Sequence, residues 1–450
     1  MIDRSIMPGA GKMKDVKFPG FRELTLSNGM KVFLVKDEKF PVTTCRFLMK
    51  SGSYSDFFRA GKSGLATVTA EMLNRGTKGK TYGKITEAVD YNGALMSTGA
   101  GYDASFISLS CLKKNFPDML GLVSEMITDS VFPEYELNQK KNHLISSLIS
   151  LQDDSSYLSE RVFLSTLYKD TPYEMDPDGF PESVKNITRD DVLSFTNENY
   201  TPSNIILAVV GDFDEEAILK RIESHFPAGR NVPAENGYVF KNKQAGAGVY
   251  IIEKKDAFQA SLHIGHAGIK RGHPDYIKTH FLNTLFGGMF TSRINKNLRE
   301  VNGLTYGART SFNCKKYAGD FSIETEVNED KTGFAVDEII KEMNLMRDMP
   351  VPEEELTNAK NYITGNFPLQ LETSNNVAGK LLSLELYGAD RDFYNHYISS
   401  VNALTVEEIT ETARQHFRPD ELIITAAGNT EILKEQLCKF GVTEIIDKVK

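Results

Sequence analysis

Two side chains near position 300 have the types and spacing to act together on a carbonyl group. Arg299 and Tyr306 lie seven residues apart in the segment GGMFTSRINKNLREVNGLTYGART, residues 287–310. A guanidinium group offers donors in a fixed plane and a phenol offers one more, and such donors suit the oxyanion that develops in acyl-transfer reactions. A structural alternative stays open, in which Arg299 offsets the dipole of a helix that ends before Asn302 and Gly303, and Tyr306 begins a core strand.

A second segment has the pattern of an apolar helix, and the residue types at a few of its positions decide what chemistry it can support. Residues 64–77 read GLATVTAEMLNRGT, a run rich in alanine and leucine that an Asn-Arg-Gly-Thr sequence closes. This pattern predicts a helix. Its flanks resemble the zinc helix of the pitrilysin, insulysin and mitochondrial processing peptidase family, the inverzincins. That family carries H-x-x-E-H at this place, where two histidines four residues apart bind zinc and the glutamate activates a water molecule.

The resemblance implies that the zinc site of this chain is vacant. The three motif positions correspond to Thr67, Ala70 and Glu71, so neither histidine is present and a methyl group replaces the general base. The third family ligand is a glutamate on a later helix, and its position corresponds to Leu148. Because a leucine cannot bind zinc, we expect no cofactor in this chain.

The same resemblance implies roles for the segment around position 300. In the family, an arginine and a tyrosine with the spacing of Arg299 and Tyr306 bind the substrate backbone and help to stabilise the tetrahedral oxyanion. Gly287 and Gly288 resemble a glycine-rich segment that receives substrate in non-catalytic subunits, although two glycines also allow two elements to pack closely. Residues 97–110 resemble the family's edge strand, to which an extended substrate adds by backbone hydrogen bonds.

Composition describes an ordinary globular chain. It has 450 residues, 40% of them hydrophobic and 25% charged, which is too long for one core and predicts two or more domains. The net charge of −9 argues against a nucleic-acid partner, and no apolar run approaches the roughly 18 residues that a membrane span requires. The N-terminus lacks an apolar signal core and the four cysteines form no C-x-x-C pair. We therefore expect a cytoplasmic protein, unless a signal peptide has been removed.

Histidine spacing offers no replacement for the lost metal site. His263 and His266 are three residues apart on a predicted strand, so their side chains point to opposite faces. His273 and His280 would lie about two helical turns apart, roughly 10 Å, which is too far for a shared zinc. We interpret these histidines as structural.

The two halves of the chain repeat one another. ITRDDVLSFTNENYTPSNIILAVVGD at 187–212 returns, without a gap, as LTVEEITETARQHFRPDELIITAAGN at 404–429. Tyr168 returns as Tyr387 at nearly the same offset. A repeat of this length predicts a duplicated α+β domain.

The repeat and a turn-rich connector set the predicted domain boundaries. Residues 1–17 form an N-terminal arm, 18–230 a peptidase-like domain with the vacant zinc site, 231–247 a linker, and 248–450 a homologous domain with the Arg–Tyr segment. Strand pairs followed by long helices predict a mainly antiparallel sheet with helices packed on one face in each domain. The resemblance implies the same processing-peptidase-like fold.

These features lead to one hypothesis and one alternative. A vacant zinc site beside an intact Arg–Tyr pair predicts a non-catalytic subunit of a heteromeric zinc metalloendopeptidase, inactive alone. A homologous H-x-x-E-H subunit would hold the zinc, and the heterodimer would enclose a chamber that admits peptides. Arg299 and Tyr306 would then act in trans. The alternative is a catalytically inactive scaffold subunit with a structural or peptide-binding role, and homodimers without a zinc-binding homologue would favour it.

Overall fold

A computed structural model of the protein describes residues 16–226, 240 and 246–447. Most of the predicted arm and most of the predicted linker, 231–247, lie outside the described residues. The domain boundaries therefore stay predictions. Within the described chain, each half of the sequence builds a six-stranded sheet with its own helices, which confirms the α+β architecture.

The N-terminal sheet contains β1 (Arg22–Thr25), β2 (Lys31–Lys36), β3 (Val42–Met49), β4 (Leu95–Ala100), β5 (Ser105–Leu112) and β6 (Ile205–Gly211). Its strand order is β1-β2-β6-β3-β5-β4. Strands β2 and β6 run parallel and the other neighbours antiparallel. The turn between β1 and β2 contains Asn28 and Gly29, where Gly29 has a φ of 85°, so an Asn-Gly turn joins these strands as its sequence indicates.

The C-terminal sheet contains β7 (Gly248–Glu253), β8 (Ala260–Gly268), β9 (Ala308–Cys314), β10 (Gly319–Val327), β11 (Ile423–Gly428) and β12 (Thr443–Ile446). Its order is β12-β7-β11-β8-β10-β9. Strand β7 is parallel to β11 and β12, and the remaining pairs are antiparallel. Both sheets are therefore mainly antiparallel, as predicted.

The helices follow the chain in the same duplicated order. The first half carries α1 (Leu65–Met72), α2 (Tyr82–Tyr91), α3 (Phe116–Thr128), α4 (Glu134–Leu151), α5 (Ser155–Leu167), α6 (Pro181–Lys185), α7 (Arg189–Asn199) and α8 (Glu215–His225). The second half carries α9 (Tyr276–Asn283), α10 (Thr332–Asp348), α11 (Glu353–Asn366), α12 (Ser374–Leu386), α13 (Phe393–Ala403), α14 (Val406–His416) and α15 (Thr430–Leu437). Two π-helical turns, Thr284–Gly288 and Asn295–Val301, lie between α9 and β9. No helix in the described part of the chain is both long and apolar enough to cross a bilayer.

The sequence repeat is visible at the starts of α7 and α14. The Thr188 hydroxyl accepts a hydrogen bond from the Asp191 backbone N–H, and the Asp191 carboxylate accepts one from the Thr188 N–H. Thr405 and Glu408 form the same reciprocal pair at α14. Each capping box fixes a helix that leads into a fully buried strand, β6 or β11.

Each sheet has a second helical cover that comes from the other half of the chain. Helix α5 of the first half packs on β8 and β11, and α12 of the second half packs on β3 and β6. These two helices occupy equivalent places in the repeat, since both bounds of α12 follow those of α5 at the offset that separates Tyr387 from Tyr168. The central strands β6 and β11 are consequently buried on both faces, and the two halves share their hydrophobic cores.

Candidate functional site

Helix α1 forms where the zinc helix was predicted. The buried Asp56 carboxylate accepts hydrogen bonds from the backbone N–H groups of Gly64 and Ala66, at 3.0 and 3.1 Å, so it satisfies free donors at the start of the helix. Seven of the eight residues of α1 are buried. The helix is thus a packed core element of the N-terminal half.

The side chains at the four zinc positions do not fit a metal ion. Thr67 is buried and its hydroxyl donates to the Pro177 carbonyl at 2.8 Å. Ala70 and Leu148 are buried hydrocarbon groups, and the helix that carries Leu148, α4, packs against α1. None of these three side chains offers the nitrogen, thiolate or carboxylate donors that zinc requires.

The fourth position, Glu71, belongs to a salt bridge. Its Oε2 atom lies 2.7 Å from Nζ of Lys140 on α4. Burial raises the pKa of the nearby Asp178 carboxyl group, and the negative charges of Asp176 and Glu71 add to this shift. The Lys140 ammonium group supplies positive charge among these carboxylates, in the place where a zinc ion would bring it. The residues at the family position therefore support no metal chemistry in this half.

Tyr306 lies at a cleft of the C-terminal half. The cleft has a volume of about 750 Å³ and is lined by the first π-helical turn, β9, β10 and Ser156 of α5. The Tyr306 side chain precedes β9 and is 91% exposed. It therefore does not begin a core strand, which excludes one part of the structural alternative, and its hydroxyl is free to meet a ligand.

Arg299 lies beside this cleft without lining it. It occupies the last turn of the second π-helical segment, and its Cζ atom stacks 4.4 Å above the ring of Phe290. Phe290 lines the cleft and is 66% exposed. Among the described residues no carboxylate lies within ion-pair distance of Arg299. Its position in the last turn also suits the helix C-terminus, so this part of the structural alternative stays open.

Gly287 and Gly288 line the cleft, and close packing explains both. A Cβ atom on Gly287 would lie 2.3 Å from Cγ2 of Thr310, and one on Gly288 would lie 3.0 Å from Nδ2 of Asn283. The Thr310 hydroxyl donates to Oδ1 of Asn283 at 2.8 Å. The glycines thus let the π-helical turn approach β9, and this packing places Tyr306 at the wall of the cleft.

The lining of the cleft combines polar and apolar groups, and its charged side chains carry net negative charge. Glu324 and Glu326 of β10 line it together with Arg309 of β9, and all three side chains are exposed. Asn295 is buried and fixes the wall, since its side-chain amide donates to the Ala308 carbonyl at 2.9 Å and accepts from the Ala308 N–H at 3.0 Å. The arrangement can hold a polar, extended ligand by hydrogen bonds.

The predicted edge strand is wrong in one respect. Residues 97–110 do not form one strand, because the chain turns between Gly101 and Ala104, where the Gly101 N–H donates to the Ala104 carbonyl. The result is the hairpin β4–β5. Strand β5 pairs with β3 and β4 on its two sides, so β4 alone is the free edge.

His263 and His266 lie on opposite faces of β8, as predicted. His263 packs against Phe163 of α5, and His266 packs against Phe321. Burial lowers the pKa of each imidazole to about 4. Neither belongs to a group of metal-ligating side chains among the described residues.

Sequence reasoning missed the partner of Glu71 and one histidine cluster. Lys140 lies far from Glu71 along the chain, and a lysine on a helix carries no local sign of such a contact. His273 and Asp275 meet His416, which is separated from them by most of the second half. Only the packing of α9 against α14 brings these residues together.

Two duplicated α+β halves, with a helix at the place of the family's zinc helix, define a metallopeptidase-like protein. Residues 31–176 match the insulinase family (peptidase family M16). Residues 186–363 match the peptidase M16 inactive domain. The chain belongs to the peptidase M16 family, as the resemblance of its zinc helix implies.

Similar proteins span nearly the same length. An uncharacterized zinc protease of Rickettsia bellii is 25% identical over 88% of this chain and 95% of the relative. A protein of Helicobacter pylori named non-peptidase homolog YmxG is 23% identical over 84% of this chain and 87% of the relative. The crystal structure of a peptidase M16 inactive domain from Pseudomonas fluorescens has a TM-score of 0.84 and 25% identity, and covers 91% of this chain and 98% of that one. The relatives thus carry both zinc-protease and non-peptidase names.

Proposed function

We propose that this chain is a non-catalytic subunit of a heteromeric zinc metalloendopeptidase. A homologous subunit with an H-x-x-E-H helix holds the zinc, and this chain forms half of a closed chamber. Arg299 and Tyr306 reach the partner's site in trans and bind the substrate backbone and the oxyanion. The observation that carries the proposal is an exposed Tyr306 at the cleft, in a chain whose own zinc position holds Thr67, Ala70 and Glu71.

The vacant position supports inactivity of the chain alone. Zinc hydrolases need three protein ligands and a base that activates the bound water. Here the base position is the buried methyl group of Ala70, and Glu71 is engaged by Lys140. Zinc must therefore come from another subunit if this chain takes part in hydrolysis.

The cleft supports a role in binding peptides. An exposed phenol loses little packing when it turns toward a ligand, and a guanidinium that stacks on Phe290 keeps its donors free. Gly287 and Gly288 leave the wall of the cleft without side chains, so a peptide backbone can approach it. A closed chamber would admit peptides and unfolded segments, and it would exclude folded proteins.

The proposal is tested by reconstituting the two subunits and by removing the Arg299 guanidinium and the Tyr306 hydroxyl in separate variants. The chain is purified with an H-x-x-E-H homologue from the same cell, and cleavage of a quenched peptide is measured for each subunit alone and for both together. Activity is expected from the pair only. Arg299→Ala and Tyr306→Phe should each lower kcat about 100-fold, the usual cost of losing one oxyanion donor.

A matched control is available for the tyrosine. Tyr91 of α2 is 90% exposed, nearly as much as Tyr306, so Tyr91→Phe should leave the rate unchanged. Unchanged rates for both cleft variants would remove the proposed roles. If the chain forms homodimers and captures no zinc-binding homologue, the scaffold alternative replaces the proposal.

A further inference from the structure

Three side chains with metal-binding atoms converge between α9 and α14. His273 and Asp275 lie just before α9, and His416 is the last residue of α14. Nε2 of His416 lies 3.0 Å from Oδ2 of Asp275, and Nδ1 of His273 lies 3.8 Å from the same oxygen. One donor atom from each residue falls within 4.8 Å of the other two.

These distances suit a single small ion. Zinc binds imidazole nitrogen and carboxylate oxygen at about 2.0–2.2 Å, which places neighbouring ligand atoms of a tetrahedral site about 3.3 Å apart. The measured separations of 3.0 and 3.8 Å lie on either side of that value. His273, with a side chain 36% exposed, can shift toward the other two ligands, and all three donor atoms already lie within 4.8 Å of one another.

Solvent reaches two of the three side chains. The His273 side chain is 36% exposed and that of Asp275 is 23% exposed, and Asp275 also lines a cavity of about 300 Å³ that borders Glu408 and Glu411. Water can therefore reach an ion held by these groups. Nζ of Lys278 lies 3.8 Å from Oδ1 of Asp275, on the oxygen that does not face the histidines, so this cation weakens the site without occupying it.

One existing hydrogen bond must be exchanged. Nδ1 of His273 accepts from the backbone N–H of Asp275 at 3.1 Å, so coordination through Nδ1 replaces this bond with a metal–nitrogen bond. Water can then satisfy the backbone donor, because the neighbouring His273 side chain is partly exposed. An ion pair between Asp275 and His416 alone would not account for the presence of His273. The ring centroid of His273 lies 5.6 Å from that of His416.

We propose that His273, Asp275 and His416 form a binding site for a divalent transition-metal ion, with Zn²⁺, Ni²⁺ and Cu²⁺ as the class that two imidazoles and one carboxylate favour. The site is distinct from the vacant family position, which lies in the other half, and it does not depend on the proposed peptidase role. A bound ion joins the start of α9 to the end of α14. It therefore stabilises the half that carries the cleft.

The test measures binding of Zn²⁺ alone to the untagged full-length chain. Cys438→Ser serves as the background, since Cys438 is an exposed free thiol that would compete for the metal. Isothermal titration is expected to show one ion per chain, and Zn²⁺ should raise the thermal unfolding midpoint because it binds only the folded site. His273→Asn and Asp275→Asn should each weaken binding about 100-fold, since loss of even an outer partner of a ligand costs about 10–100-fold.

The controls separate this site from unspecific binding. His396 of α13 is exposed and lies outside the cluster, so His396→Ala should bind Zn²⁺ like the parent chain. His273→Asn keeps a hydrogen-bond acceptor at an exposed position, which preserves the fold where His416→Ala would disturb a helix end. Absence of Zn²⁺ binding by the parent chain, or equal affinities in the parent and both cluster variants, would overturn the proposal.

Discussion

His263 and His266, two buried histidines of β8, differ in the hydrogen bonding of their ring nitrogens. His266 is satisfied, because its Nε2 atom accepts from the Arg418 backbone N–H at 3.2 Å and Nδ1 lies 2.9 Å from the Ala267 carbonyl. Among the described residues neither ring nitrogen of His263 has a hydrogen-bond partner. An oxygen of Glu324 lies 3.8 Å from its Nδ1 atom, which is too far for a hydrogen bond.

This difference predicts opposite effects of one substitution. His263→Leu removes two unpaired buried nitrogens and should raise the free energy of unfolding by about 1 kcal/mol or more at pH 7. His266→Leu leaves the Arg418 N–H without its acceptor and should lower it by about 1–3 kcal/mol. Urea unfolding followed by far-UV circular dichroism measures both changes, and a loss of stability in His263→Leu would contradict the prediction.

For single residues, the sequence shows which zinc ligands are missing more readily than it shows the contacts that the residues in their place make. Thr67, Ala70 and Leu148 could be identified as non-ligands because their chemistry excludes zinc in any environment. The exposure of Tyr306 could not be predicted, since a tyrosine before an alternating strand is equally compatible with a core position. The exposure of Tyr306 depends on how elements that lie far apart in the sequence pack together.

At the scale of elements, the exchange of α5 and α12 between the halves is the main feature of the fold. Each helix lies on the sheet of the other half, and α5 approaches β8 at Gly265. A Cβ atom there would lie 2.9 Å from Cζ of Phe163 on α5 and 2.0 Å from the Phe321 carbonyl oxygen. The absence of a side chain at Gly265 is thus a condition for this contact.

Gly265→Ala should therefore destabilise the protein. The added methyl group forces α5 or β10 to move, and overpacking of this kind costs about 1–3 kcal/mol or more. Gly365 of α11 is a matched control, because a Cβ atom there meets no heavy atom within 4 Å. Gly365→Ala should stabilise by about 0.5–1 kcal/mol through helix propensity. Chemical denaturation of both variants checks the pair, and equal effects would contradict the proposed close contact.

The repeat predicted the elements but not their exchange. An amphipathic pattern shows that α5 must bury one face, yet it does not show which sheet supplies the contact. The return of Tyr168 as Tyr387 marks α5 and α12 as equivalent helices without placing either one. Similarly, alternation over residues 97–110 indicated a strand, and the short turn after Gly101 carried too weak a signal to divide it.

At the scale of the molecule, buried polar groups join the two halves. Tyr168, which follows α5, donates to Asp320 of β10 at 2.7 Å, and Lys315 pairs with the same carboxylate at 2.6 Å. Burial alone would raise the pKa of Asp320, but Lys315 and the hydrogen bonds outweigh it and hold the pKa below its usual value. This carboxylate stabilises the folded state above its unfolded pKa near 3.8, and the contribution is lost only below about pH 4.

The two buried histidines of β8 make the free energy of unfolding depend on pH in a range above that in which Asp320 acts. Burial lowers the pKa of His263 and His266 from 6.5 to about 4, so between these values the unfolded chain binds more protons than the folded one. These two histidines therefore lower the free energy of unfolding as the pH decreases from 6.5 toward 4, while the buried Asp56, whose pKa is raised to about 8, contributes in the opposite direction. A shift of this size corresponds to about 3 kcal/mol for each histidine.

His263→Leu should consequently remove the contribution of His263 to this pH dependence, so its unfolding free energy should lose less than that of the parent chain as the pH falls from 7 to 4.5, and it should also be higher at neutral pH. Urea unfolding at pH 7, 6, 5 and 4.5 provides the measurement, and the slope of the unfolding free energy against pH is the quantity compared. His143→Ala, at an exposed position on α4 outside the core, is the matched control and should keep the parent slope. Identical slopes for the parent chain and His263→Leu would mean that His263 is already protonated in the folded protein, with Glu324 as its counter-charge.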